Sequence, residues 1–297
     1  MRKLLVAVVI IPFTWLVLPL PAQAPAQVEG VGSGARVSPD RVGKLGTDWT
    51  PVASADVAAG PTPRLHDGKP DLSGPWVGGG SNGNIERDGG LKSGELPLLP
   101  WAKALMERRQ QDGRNEIDEP YLYCTPMGVP RKNPYPWRIV QSYTAKGPTH
   151  IFILHENGDG GGRRQIFMDG RSHPNDPIPT WFGHSIGLWD GDRLVVDTVG
   201  YNDKFWFDSS GTPHTEQLHT IERFTRPNYG TLNISMTLAD PGAFSRPVEL
   251  KFSARALPPD QELMEFICAE NNQFGLAGGH DNIYREKGFG LEVPVPK

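Results

Sequence analysis

The chain has 297 residues and a formal net charge of −4, with acids and bases well mixed. That balance excludes the basic face of an electrostatic nucleic-acid binder. Glycine and proline, 35 and 29 residues, together exceed a fifth of the chain, a composition suited to many short strands joined by turns.

Residues 1–26 read as a secretory signal peptide. Arg2 and Lys3 form a basic start, "LLVAVVIIPFTWLVLPL" an apolar run, and "PAQAPAQ" a small-residue end. Cleavage after Ala26 fits, because cleavage after Ala24 would leave Pro25 next. The alternative is an uncleaved membrane anchor, but Pro12, Pro19 and Pro21 interrupt a run already short for a spanning helix. No cysteine follows the run, which argues against a lipid anchor. The expected location is therefore the periplasm or the exterior, with no membrane association after cleavage. Residues 27–69, with "VEGVGSGARVSPD" and "VASADVAAGPTPR", read as a linker or loosely draped arm. Residues 70–297 read as a single β-rich domain.

Within that domain "DLSGPWVG" opens the first strand. "LPLLPWAKALMERRQQDG" is the one clear helix, with Pro100 in its first turn and Gly113 as its stop. Strands follow at "WRIVQSY", "HIFILHE", "RRQIFMDG", "HSIGLW", "RLVVDTVG", "LHTIERFT", "TLNISMTL", "VELKFSARAL" and "ELMEFICA". "NGDGGG", Asp190-Gly191-Asp192 and the stretch around Pro227 and Gly230 read as hairpin turns. The expectation is a mainly β fold: an antiparallel meander of eight to ten strands closing into a calycin-like barrel, with a β-sandwich as the alternative and one short helix. Cys124 and Cys268 are the only cysteines. In an oxidising compartment they pair as one disulfide; a buried free thiol and a catalytic thiol are the other readings.

"LSGPW" resembles the Gly-x-Trp strand start of lipocalin-like (calycin) barrels. In that family the Trp closes the barrel bottom, often under a basic residue of the last strand; Arg285 is the residue this resemblance assigns. "RQIFMDGRSHP", "GHSIGLWDGDRLVVDTVGYN" and "ERF" together are similar to a broad group of exported bacterial proteins of unknown function. That resemblance spans most of residues 70–275 and brings no activity with it.

Gly183-His184-Ser185-Ile186-Gly187 matches the G-x-S-x-G nucleophile elbow of α/β-hydrolases. An elbow needs a buried strand before it and a helix after it. Here "HPNDPIPTW" precedes, and a turn and a strand follow, so the match reads as coincidence. A serine hydrolase with Ser185, Asp197 and His214 stays as the minor alternative.

Period-2 alternation puts charged and large apolar groups on the same strand faces, with Glu156, Arg164 and Glu222 among them. A polar-lined pocket explains this, and so do solvated outer faces. "MDGRSHP" sets Asp169, Arg171 and His173 at i, i+2, i+4, an arrangement that orients an imidazole and holds an anion. "PHTEQLHTIER" holds His214, Glu216 and Glu222, and histidine beside carboxylate is the usual means of proton transfer near neutral pH. The candidate catalytic set is His184, His214, Glu216, Glu222, Asp169 and His173. Arg164, Arg171, Glu156, Trp181, Trp189, Tyr201 and Trp206 are the candidate substrate contacts. His184, His214 and Glu216 form a reasonable zinc or iron set, yet no H-x-H or H-E-x-x-H spacing occurs and no cofactor is predicted.

Two functions compete, with an exported structural or partner-binding domain without a pocket as a third possibility. One is an exported enzyme using His, Glu and Asp for acid–base chemistry on a small organic substrate, of lyase, isomerase or hydrolase type. The other is a non-catalytic calycin-like binding protein. Convergence of His184, His214, Glu216 and Asp169 in a pocket favours the enzyme; their scatter favours binding. Oligomeric state is left open.

Overall fold

The computed structural model describes residues 58–111, 118–131, 135–156 and 162–268. The signal peptide, most of the arm, most of the "NGDGGG" loop and Arg285 lie outside the described residues.

Alternation of apolar and polar residues generates the strands in chain order. They are β1 (Gly74–Gly78), β2 (Trp137–Thr144), β3 (Gly147–His155), β4 (Arg163–Phe167), β5 (His184–Asp190), β6 (Arg193–Val199), β7 (His219–Asn228), β8 (Thr231–Ala239) and β9 (Val248–Ala256). Between β1 and β2 lie α1 (Ile85–Asp88), α2 (Pro100–Gln110) and a 3-10 turn (Pro120–Tyr123). Asn84 caps α1 by accepting from the Arg87 N–H, and Pro100 opens α2. The expected single helix is thus joined by a second of one turn. "ELMEFICA" forms no strand among the described residues.

The strands close in chain order into a barrel, β9 pairing back to β1 at Trp76↔Ala256. The meander is not wholly antiparallel: β4 and β5 run parallel. Nine strands cannot alternate direction all the way around a ring, so closure requires at least one parallel neighbour pair. A parallel pair needs a crossover, and residues 168–183 supply it. Pro174, Pro177 and Pro179 keep it from becoming a helix. It is tied to the outer wall by Thr180 N–H donating to the Gly200 carbonyl at 2.9 Å and Asn202 N–H to the Thr180 carbonyl at 2.8 Å.

The interior is filled mainly by packed apolar side chains. β9 alternates without a break, with Val248, Leu250, Phe252, Ala254 and Ala256 buried. Leu232, Ile234, Met236 and Leu238 of β8 meet them. Burying each such side chain contributes about 1.5–3 kcal/mol. Trp76 and Trp137 are fully buried with ring centroids 6.5 Å apart. The Arg226 guanidinium, from β7, lies over Trp76 at 4.8 Å.

Two further ties fix the chain ends of the barrel. Residues 58–69 are bound to it rather than draped: Thr62 Oγ1 donates to the Arg226 carbonyl at 2.7 Å, and Arg64 pairs with Asp192 at 2.6 Å. Cys124 and Cys268 form a disulfide across 144 positions, with Cα atoms 5.4 Å apart. Among the described residues no helix is long and apolar enough to cross a membrane.

Candidate functional site

β4 and β5 pair at only two positions, Ile166↔Ser185 and Phe167↔Ile186. Beside the residues preceding those pairs lies a cleft of about 550 Å3 between β4, β5 and the crossover. Arg163 and Phe167 line it from β4, Phe182 from the crossover and His184 from the start of β5, and it reaches Arg164 and Ser185. Asp176 is its acidic residue.

A chain of hydrogen bonds starts at the cleft and runs over the outer face of the barrel. His184 Nδ1 is 2.9 Å from His173 Nδ1. His173 Nε2 is 3.2 Å from Asp197 Oδ1, and His219 Nε2 is 2.7 Å from the same oxygen. The Phe167 ring stacks on His184 at 5.1 Å, and the Arg171 guanidinium covers Phe167 at 3.8 Å. Burial lowers the His184 pKa, with the nearby His173 and Arg171 adding to the effect. Neutral His184 is therefore the favoured form near pH 7.

Those contacts constrain the tautomers. A carboxylate accepts, so His173 donates from Nε2 to Asp197. In the tautomer pair where His173 Nδ1 accepts, His184 donates from Nδ1. His184 Nε2 is left as a lone pair with no hydrogen-bond partner among the described residues. Asp197, His173 and His184 thus form one hydrogen-bonded chain.

Arg164 and Glu222, expected in a wet pocket, occupy the barrel interior and face each other. Their side chains are 2% and 0% exposed, and Arg164 Nη2 pairs with Glu222 Oε2. Arg164 also donates to Ser185 Oγ at 3.2 Å and Thr198 Oγ1 at 2.8 Å. Burial alone would lower the Arg164 pKa, but the Glu222 carboxylate beside it outweighs burial and raises it.

Ser185 is therefore no elbow nucleophile. It sits within β5, is 1% exposed and shares its hydroxyl with Arg164 and Thr198. Asp197 belongs to the outer face, and His214 packs elsewhere, so the supposed triad never assembles. The two glycines have packing reasons instead. Gly183 has φ +64°, and a Cβ there would meet Thr198 Cγ2 and the Val199 carbonyl at 2.7 Å. A Cβ on Gly187 would meet Met168 Sδ at 2.5 Å.

The remaining sequence candidates scatter. His214 is buried between Phe205 and Phe207, at ring distances of 4.0 and 4.8 Å, and burial lowers its pKa. Glu216 is exposed in a turn. Asp169 pairs with Arg171 at 2.5 Å on the surface, which holds its pKa down to about 2 and occupies both groups. Glu156 accepts from Met264 N–H at 3.1 Å, away from the cleft. Trp181 packs against the core beside Phe182. Trp189 lies under the Lys69 ammonium, 6.0 Å from its ring, and Trp206 under the Arg109 guanidinium at 4.4 Å. Tyr201 is fully buried, its hydroxyl 2.8 Å from Thr220 Oγ1. Of the catalytic set, only His184 and His173 meet. The His184, His214, Glu216 metal set does not form, and among the described residues no group of three His, Cys, Asp or Glu side chains is arranged for a metal ion.

Sequence reasoning missed Asp197 in this role, and with it His219 and Arg163. The register of the β5–β6 hairpin was the available signal. Closing it at Asp190↔Arg193 sets Ile186 opposite Asp197, so His184 and Asp197 share the outer face. Comparison with protein-family models, curated proteins and solved structures finds no match for this chain.

Proposed function

We propose that the protein is an exported enzyme performing acid–base chemistry on a small organic substrate in the β4–β5 cleft. His184 acts as the base through Nε2, and His173 and Asp197 are positioning residues that fix its tautomer. The observation carrying this reading is the Nδ1–Nδ1 contact at 2.9 Å, continued to Asp197, beside the cleft. Arg164 and Arg171 are engaged by carboxylates, so neither is free to hold substrate. Arg163, exposed and without a side-chain partner among the described residues, takes that role for an anionic or carbonyl oxygen. Proton transfer from such a positioned base supports a lyase, isomerase or hydrolase step and contributes about 10²–10⁴ in rate. Export is supported by the basic, apolar and small-residue layout of residues 1–26 and by the disulfide.

A second reading, a non-catalytic binding protein, draws on the scatter of His214, Glu216 and Asp169 away from His184. A panel of small esters, lactones and enolisable carbonyl compounds separates the two. The enzyme reading expects turnover by the wild type, a loss of about 10²-fold or more in His184→Gln, and retained turnover in Ser185→Ala. Equal turnover in wild type and His184→Gln removes His184 from the chemistry. Saturable binding in the cleft with no turnover supports the second reading.

A further inference from the structure

We propose that a second cleft, at the end of the barrel where β1 begins, binds a small monocarboxylate with an apolar body. The cleft has a volume of about 330 Å3 and shares no residue with the β4–β5 cleft. Arg226 from β7 and Arg138 from β2 line it, together with Trp76, Tyr229 and Leu257.

The argument begins from how the barrel treats its other buried guanidinium groups. Arg164 is paired with Glu222 and Arg131 with Glu119, each inside the fold. Burying a cation demands such a partner. Arg226 is 7% exposed, yet among the described residues it forms no ion pair with a carboxylate. Among the described residues its side-chain hydrogen bonds go only to main-chain carbonyls. Nη1 donates to Asp71, and Nε and Nη2 donate to Tyr229 at 3.2 and 2.6 Å. A guanidinium has five N–H donors, so two remain without an acceptor among the described residues. Burial lowers the Arg226 pKa against the pull of Asp71 and Tyr229, as expected for a cation short of negative charge.

Arg138 adds a second cation. Among the described residues its one side-chain bond is from Nη2 to the Gln261 carbonyl at 2.6 Å, which leaves four donors. The Asp71 carboxylate lines the same cleft and already accepts from Ser73 N–H at 2.8 Å. Two guanidinium groups against one carboxylate leave a net charge of +1, which matches one monoanion and disfavours a dianion. Arg–carboxylate recognition is bidentate and planar. The accessible edge of Tyr229, with Pro63 and Pro259, gives the apolar surface for the rest of the ligand.

Isothermal titration of the full folded chain with sodium benzoate tests this. The expected result is saturable binding of one benzoate, weakened about tenfold in Arg138→Gln, the loss that follows from removing one charge-assisted contact. Arg226→Lys keeps the charge but not the fork, and is expected to weaken binding similarly. Arg138 is half exposed, so its variant keeps the test valid where an Arg226 variant fails to fold. Unchanged affinity in His184→Gln separates this site from the β4–β5 cleft. Absence of saturable heat, equal affinity in wild type and Arg138→Gln, or tighter binding of inorganic phosphate than of benzoate overturns the proposal.

Discussion

Replacing Glu222 by Gln is the sharpest perturbation of the barrel interior. The substitution keeps shape and removes the only charge opposite Arg164, whose side chain is 2% exposed. Arg164 keeps its bonds to Ser185 and Thr198, but these are neutral hydroxyls. Breaking one partner of a buried ion pair costs about 3–5 kcal/mol, because the other charge stays buried and uncompensated. For a domain of this size that corresponds to a fall in Tm of roughly 6–20 °C. Replacing both partners together, as Arg164→Met with Glu222→Leu, removes both charges and is expected to recover most of the loss. Urea unfolding followed by circular dichroism gives all three free energies. A loss below about 1 kcal/mol for Glu222→Gln would mean that water reaches Arg164, and the closed, packed interior described above would be wrong.

Reducing the Cys124–Cys268 disulfide frees an unfolded-state loop of 144 positions. The chain-entropy relation gives about 5 kcal/mol for that length. Urea melts with and without reductant are expected to differ by up to that amount, and identical melts would show that the bridge constrains nothing. His214 is buried with a lowered pKa, so the folded state binds fewer protons there than the unfolded state. Its contribution is complete above the unfolded value of about 6.5 and shrinks as the pH falls below it, by up to about 1.4 kcal/mol per pH unit. Unfolding free energies at pH 7.5 and 5 should show a smaller drop in His214→Gln than in wild type; an equal drop would assign the pH dependence to other groups.

The β-barrel was legible because each strand carries its own alternation and most turns carry glycine. The parallel β4–β5 pair was not, since nothing in residues 168–183 states which edge the returning strand joins; only closure of nine strands demands it. The inward placement of Arg164 and Glu222 follows from their own alternation. That they satisfy each other depends on a meeting across the barrel, which one strand's pattern does not contain. His184 and His173 were readable as chemistry-bearing residues in "GHSIG" and "DGRSHP". Asp197, in the apolar run "RLVVDTV", reads from the sequence only as a triad member, and its meeting with His173 becomes visible only once the hairpin register is known. "ELMEFICA" has strand composition but ends as an unpaired segment held by the disulfide and by the Met264–Glu156 hydrogen bond.

The most direct test of the proposed chemistry is long-range 1H–15N NMR of the histidine rings. The expected spectrum shows His184 neutral at pH 7 with its proton on Nδ1, His173 with its proton on Nε2, and His184 titrating below the ordinary histidine value. In Asp197→Asn the His173 tautomer preference is expected to weaken. A His184 that carries its proton on Nε2, or that is protonated at pH 7, would leave no lone pair for the base and contradict the proposed role.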